Sequence, residues 1–158
     1  MKSLLALAVF GFVTPAFASG TYTGASFDVT TNVDGLCFVV TADGGNVNFG
    51  TYTGAYEIEA TTYLNVQCNV GTNYALTLDY GQHFNSYYGG RNMYNATYGG
   101  YLPYYLYTDT SRSTPWESGV YMTSAGSENH SVVGVLPGGY SVSSIGSYSD
   151  TVTATLTW

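Results

Sequence analysis

An all-β fold, an antiparallel sandwich of immunoglobulin type, is what the sequence predicts, and three observations predict it. Apolar residues alternate with polar ones in several short segments, the period of a half-buried strand. Gly, Asn and Pro turn signals separate those segments. No window of a dozen residues carries a 3.6-residue apolar period, and 20 scattered glycines would weaken any helix. Seven or eight short strands in about 140 residues fit one sandwich around one core.

The elements follow in order along the chain. Residues 24–33 alternate, with Ala25, Phe27, Val29, Thr31 and Val33 in phase. Residues 36–42 form a continuous β-prone run. Residues 57–68 alternate with Ile58, Ala60, Thr62, Leu64, Val66 and Cys68 on one face, and that phase points the cysteine inward. Tyr74-Ala-Leu76-Thr-Leu78-Asp-Tyr80 is another alternating strand. Residues 102–108, 120–123, 131–136 and 148–158 complete the set. Asp43-Gly-Gly45, Asn69-Val-Gly71, Tyr88-Gly-Gly90, Gly99-Gly100 and Pro137-Gly-Gly139 supply the turns. From Val152 onward, Ala154, Leu156 and Trp158 alternate with threonine. A strand this apolar has to pair with something, and residues 24–33 offer a second apolar strand near the other end. The two read as halves of a polymerising module, in which one copy's leading segment satisfies a neighbour's closing strand.

The first eighteen residues read as a secretory signal peptide. Lys2 is followed by an apolar run over residues 4–13 and by the small-x-small site Ala16-Phe-Ala18. That run is half the roughly 20 residues a transmembrane helix needs. The expected organisation is therefore a signal peptide over 1–18, an N-terminal extension over 19–33 that contains a candidate donor strand, and a β-sandwich domain over 34–158. No membrane insertion is expected after signal removal. Two arginines against ten acidic residues leave the exported chain a formal charge of −8. Such a chain cannot neutralise a phosphate backbone, so nucleic acid is excluded as a partner. With 45% apolar and 16% aromatic residues, the composition lies outside the disordered range.

Cys37 and Cys68, an even pair in an exported chain, read as one disulfide. Their spacing is not C-x-x-C, and a zinc site would need further ligands. Residues 84–107 hold eight tyrosines among Gly and Asn. They read either as a decorated loop or hairpin, or as a surface-binding patch built on Tyr87, Tyr88, Tyr94, Tyr98 and Tyr101.

No catalytic constellation is present. His83 and His130 lack H-x-x-H or H-E-x-x-H context, and no G-x-S-x-G elbow exists. Glu57 and Glu59 read as an exposed strand face, and Asp43-Gly-Gly-Asn46 as a turn without the later acidic ligand of a calcium loop. No enzyme activity, cofactor or metal is expected.

Taken together, the motifs resemble the spore-coat-protein-U-like domain, which includes the pilins of the archaic chaperone–usher pathway. The likeness covers essentially the whole exported chain. It rests on Ser26-Phe-Asp-Val29, Cys37, Asn48-Phe-Gly50-Thr-Tyr52, Leu64-Asn-Val-Gln-Cys68 and Tyr74-Ala-Leu-Thr-Leu-Asp79. Arg91-Asn-Met93, Leu102-Pro-Tyr-Tyr-Leu-Tyr107, Trp116 and Gly146-Ser-Tyr148-Ser-Asp150-Thr-Val152 continue it. The resemblance implies an incomplete immunoglobulin-like sandwich that lacks its last strand, with Cys37 and Cys68 bridged inside the subunit. It implies a groove edged by Val152, Ala154, Leu156 and Trp158. A periplasmic chaperone fills that groove first. At an outer-membrane usher, the donor strand of the next subunit, here Ala25, Phe27, Val29 and Thr31, then replaces it. The implied product is an adhesive fimbria on the surface of a Gram-negative bacterium, a head-to-tail homo- or hetero-polymer. The competing reading is a self-complete secreted coat or glycan-binding sandwich.

Overall fold

A computed structural model describes residues 28–41, 45–86, 90–117, 119–142 and 144–158. The chain divides into two units, Met1–Asn32 and Val33–Trp158. The signal-peptide expectation, Ala25 and Phe27 all lie outside the described residues. In the first unit, residues 28–32 have no regular secondary structure, and Val29 is 85% exposed. Residues 28–33 thus do not form the strand that their alternation suggests. A strand is stable only when its main chain is paired, and these residues have no strand partner.

The second unit is an immunoglobulin-like antiparallel β-sandwich. Its strands are β1 (Cys37–Thr41), β2 (Ile58–Cys68), β3 (Asn73–Leu78), β4 (Asn92–Tyr94), β5 (Tyr101–Pro103), β6 (Tyr105–Tyr107), β7 (Val120–Thr123), β8 (Ser127–Leu136) and β9 (Ala154–Thr157). One sheet has the order β1-β2-β8-β6, the other β7-β3-β9, and β4-β5 is a separate hairpin. Every pairing between these strands is antiparallel. No α-helix occurs among the described residues.

Alternation explains which side chains fill the core. In β2, Thr62, Leu64 and Val66 are buried while Thr61 and Tyr63 are exposed. Val132 and Leu136 stand opposite Thr62 and Ile58 on β8 and point to the same interior. Tyr74 and Leu76 of β3 meet them from the second sheet, and Trp116 lies among them at 1% exposure. The Trp116 indole donates to the Ser131 carbonyl at 3.0 Å, so its one polar group is satisfied inside the core. The disulfide Cys37–Cys68 joins the first residue of β1 to the last of β2, which face each other in the ladder.

Residues 46–53 cross the inner face of the first sheet at Gly134. A Cβ on that glycine would meet Val47 Cγ1 at 2.4 Å and Phe49 Cζ at 2.9 Å, so only glycine admits the crossing. Three sequence expectations change here. The run 102–108 breaks into β5 and β6 at buried Tyr104. β8 begins four residues early, at polar Ser127. Of residues 148–158, only Ala154–Thr157 pairs as a strand.

Candidate functional site

The two sheets fail to close along one seam. Among the described residues, β1 ladders only with β2, and β9 only with β3. Their Cα atoms approach within 8 Å, yet no ladder joins them. The backbone of β9 has a defined phase at this seam. Asp79 N–H donates to the Thr153 carbonyl at 3.0 Å, which makes residues 153, 155 and 157 the hydrogen-bonded partners of β3. In an antiparallel ladder the alternate residues, Ala154, Leu156 and Trp158, therefore turn their amides toward the free edge.

Apolar side chains line both banks of the seam. Val39, Val47, Phe49 and Tyr52 come from the first strand and its continuation; Tyr148, Val152, Ala154 and Leu156 come from the closing segment. All eight are half-buried and packed against the core. Toward one end the banks separate into a cleft of about 840 Å³, whose walls include Val47, Phe49, Tyr52 and Tyr148 and whose floor includes Met93 and Leu102. The edge strands on the opposite flank differ. β6 is covered by residues 114–116 through the Tyr107–Pro115 bridge and the Trp116 N–H to Leu106 carbonyl bond. β7 exposes Tyr121, Met122 and Thr123 and brings only Val120 against the core.

The expected edge residues divide accordingly. Ala154 and Leu156 sit in β9 and face inward, Val152 precedes the strand, and Trp158 follows it and is largely exposed. Val29 and Thr31 belong to the other unit and are exposed.

A buried polar cluster, not anticipated from the sequence, holds the closing segment to the hairpin. The Asp150 carboxylate is 3% exposed and accepts from the Gln82 and His83 amides at 3.0 and 3.2 Å, and from the Tyr104 hydroxyl at 2.6 Å; it also contacts His83 Nδ1 at 3.0 Å. Burial and this carboxylate together push the Tyr104 phenol far above its usual range, so it stays a donor. Arg91 is buried against the Tyr80 ring and donates to the Asp79 carbonyl from Nε and Nη2. The Asp79 carboxylate accepts from the Thr153 and Gly81 amides, and these bonds with nearby Arg91 outweigh its partial burial and hold its pKa below the usual value. Gly81 is required at its position, because a Cβ would lie 2.0 Å from an Asp150 oxygen.

The expected tyrosine surface is partly structural. Tyr87 and Tyr88 lie outside the described residues. Tyr94 and Tyr101 face each other across the β4–β5 hairpin with ring centres 5.1 Å apart, and His83 stacks on Tyr94 at 5.2 Å. Tyr98 and Tyr101 are exposed.

A second polar cluster lies between the sheets. The Tyr74 hydroxyl donates to the Glu128 carboxylate and lies 2.7 Å from His130 Nε2. Burial lowers the His130 pKa, against the opposing pull of Glu128. Its folded value is therefore below the unfolded value of 6.5, and the folded state binds fewer protons. His130 thus contributes stability that is present above pH 6.5 and is lost as pH falls through the folded pKa. Urea midpoints measured from pH 7.5 down to 5 are expected to fall in the parent and to fall less steeply in His130→Gln. Equal slopes would contradict this.

The fold and its open seam define a class: a β-sandwich module with an unpaired apolar edge. A family model described as the Spore Coat Protein U domain matches residues 23–155, and the chain belongs to that family. The chain is 34% identical over 153 residues to Protein U of Myxococcus xanthus, a match covering 85% of this chain and 84% of that protein. Among solved structures it is similar to the CsuC–CsuE chaperone–tip adhesion subunit pre-assembly complex from archaic chaperone–usher Csu pili of Acinetobacter baumannii. That match has a TM-score of 0.59 at 21% identity. It covers 80% of this chain and only 40% of the solved one, and it bears on the fold alone. Membership of a coat-protein family makes this chain a structural protein and not an enzyme.

Proposed function

We propose that this chain is an exported pilus subunit that polymerises by donor-strand complementation. In this reading a periplasmic chaperone occupies the seam first, and an outer-membrane usher directs the exchange for the extension of the next subunit on a Gram-negative surface. The signal peptide over 1–18, the extension over 19–33 and the domain over 34–158 are parts of the same proposal. The observation that carries it is the seam itself: among the described residues the outer amides of β9 and the outer edge of β1 have no ladder partner, above two rows of half-buried apolar side chains. An added strand would satisfy the main chain, and its alternate side chains would fill the gap between the rows. Ala25, Phe27, Val29 and Thr31 have that alternation. A one-residue slip would turn all four outward, so register is fixed. Left open, such an edge promotes aggregation, and this is the physical need for a chaperone. The contact is head-to-tail and generates an open filament.

The test is a chain lacking residues 19–31, co-expressed with chaperone and usher. Intact subunits are expected to run as ladders in denaturing gels without boiling, and truncated ones as monomers. A shared size profile would refute the proposal. It would instead favour a self-complete coat protein, a reading that the description of the family supports.

A further inference from the structure

Apart from Val40 on the outer face of β1, the most exposed aliphatic side chains of the sandwich lie toward its two ends. β8 runs from Ser127, opposite Gln67, to Leu136, opposite Ile58. The turns at 69–72 and 124–126 therefore stand at one end, tied by the Gly71 N–H to Ser124 carbonyl bond. Residues 54–57, 137–142 and 144–146 stand at the other, tied by the Gly139 N–H to Gly54 carbonyl bond. At the first end Val70 occupies a turn tip at 79% exposure, where polar turn residues are the rule. Trp158, 59% exposed, lines one depression with Val33 and Val70 and another with Tyr121 and Met122. Trp158 is thus shared by the two depressions. At the far end Ile145 is 85% exposed on the rim of the 840 Å³ cleft, beside Val142. Exposed apolar side chains gathered in this way mark a contact site.

Charge favours a copy of the chain meeting it through apolar surface. The exported chain is strongly acidic, and both of its arginines are engaged. Arg91 is buried, and Arg112 is held by Glu57 at 2.5 Å and Glu59 at 2.7 Å. Two copies cannot be joined there by ion pairs.

We propose that these ends are the two halves of a second contact between successive copies, the Val70–Trp158 end of one packing on the Ile145 end of the copy before it. The proposal rests on the donor-strand reading above. Topology sets the direction. β9 runs toward the Trp158 end and β1 away from it, so a strand added antiparallel to β9, and hence parallel to β1, runs toward the Ile145 end and emerges there. Val33 follows Thr31 by two residues, a span of about 7 Å. Val33 itself lies at the Val70–Trp158 end of its own copy. Strand exchange therefore delivers one apolar end directly onto the other, and the fibre is stacked rather than a string of freely hinged beads.

The experiment is a Val70→Cys/Ile145→Cys full-length chain, assembled with its chaperone and usher. Fibres are oxidised, boiled to undo strand exchange, and run without reductant. The expected result is a covalent ladder that thiol reductant collapses, with nothing larger than dimer from either single variant. In parallel, Ile145→Asp is expected to keep the unboiled ladders while its fibres bend more sharply in electron micrographs. Fibres that form normally but boil to monomer in the double variant, and stay as straight in Ile145→Asp, would overturn this contact and leave strand exchange standing. If the parent forms no unboiled ladder, the donor-strand reading fails and this contact fails with it.

Discussion

Replacing both Cys37 and Cys68 by alanine is expected to destabilise the sandwich by about 3–4 kcal/mol, read from full urea unfolding curves with midpoint and slope both fitted. The bridge closes a loop with a sequence separation of 31, and the loop-closure entropy removed from the unfolded chain sets that magnitude. The location adds a functional consequence. β1 is an edge strand held by a single ladder, and the bridge anchors its first residue to the last residue of β2. Without it β1 frays first, and one bank of the seam goes with it. Chaperone capture should therefore fall further than stability alone requires. A double-alanine chain with the parent's midpoint would contradict the argument.

Asp150→Ala is expected to cost about 2–4 kcal/mol, because it strands two donors that have no other acceptor. The His83 amide and the Tyr104 hydroxyl would both lose their acceptor, while the Gln82 amide would keep only the Thr151 carbonyl. Tyr104 is itself part of the core, so its hydroxyl has no route to water without repacking. Asp150→Asn keeps the shape and one acceptor oxygen, and is expected to lose less than half as much. Thermal melting of the two variants against the parent checks the order. A loss in Asp150→Ala below about 1 kcal/mol, the scale of one ordinary hydrogen bond, would show that the cluster is not a clasp.

Much of the fold was legible because burial on one face imposes alternation. β2 is the plainest case: Ile58, Ala60, Thr62, Leu64, Val66 and Cys68 all turn to the interior in the phase their spacing predicts. The inward cysteine and its bridge follow from the same phase. Polar segments were harder to read. The start of β8, Ser127-Glu-Asn-His130, has no apolar signal, yet it pairs with β2. Its inner side chains bond to Tyr74, and on the outer face Asn129 accepts from the Asn65 amide at 2.9 Å. β4 was missed for a related reason: Asn92 and Met93 lie in a tyrosine- and asparagine-rich run and pair only with the short strand β5.

The closing segment shows why alternation overstates strand length. Residues 148–153 carry the pattern, but β3 ends at Leu78 and offers them no further ladder. Their backbone bonds go instead to Tyr94 through Ser149, to Gln82 through Thr151 and to Asp79 through Thr153. The cluster of Asp79, Arg91, Tyr104 and Asp150 was illegible because its members are distant in sequence: each stands in a separate motif of the resemblance, and no spacing brings the four together. The seam was legible only as an imbalance, an apolar final strand without an evident partner. Which bank faces it, and which amides point into it, required the register.

The central claim is that the free edge of β9 accepts a strand with the sequence of residues 24–33. Amide hydrogen exchange tests it most directly, in a chain lacking residues 19–31 and with that ten-residue peptide added. The account predicts that Ala154, Leu156 and Trp158 exchange fast alone and become protected with the peptide, while Thr155 and Thr157, already paired to β3, change little. Exchange at 154, 156 and 158 that is slow from the start, or that the peptide leaves unchanged, would contradict it.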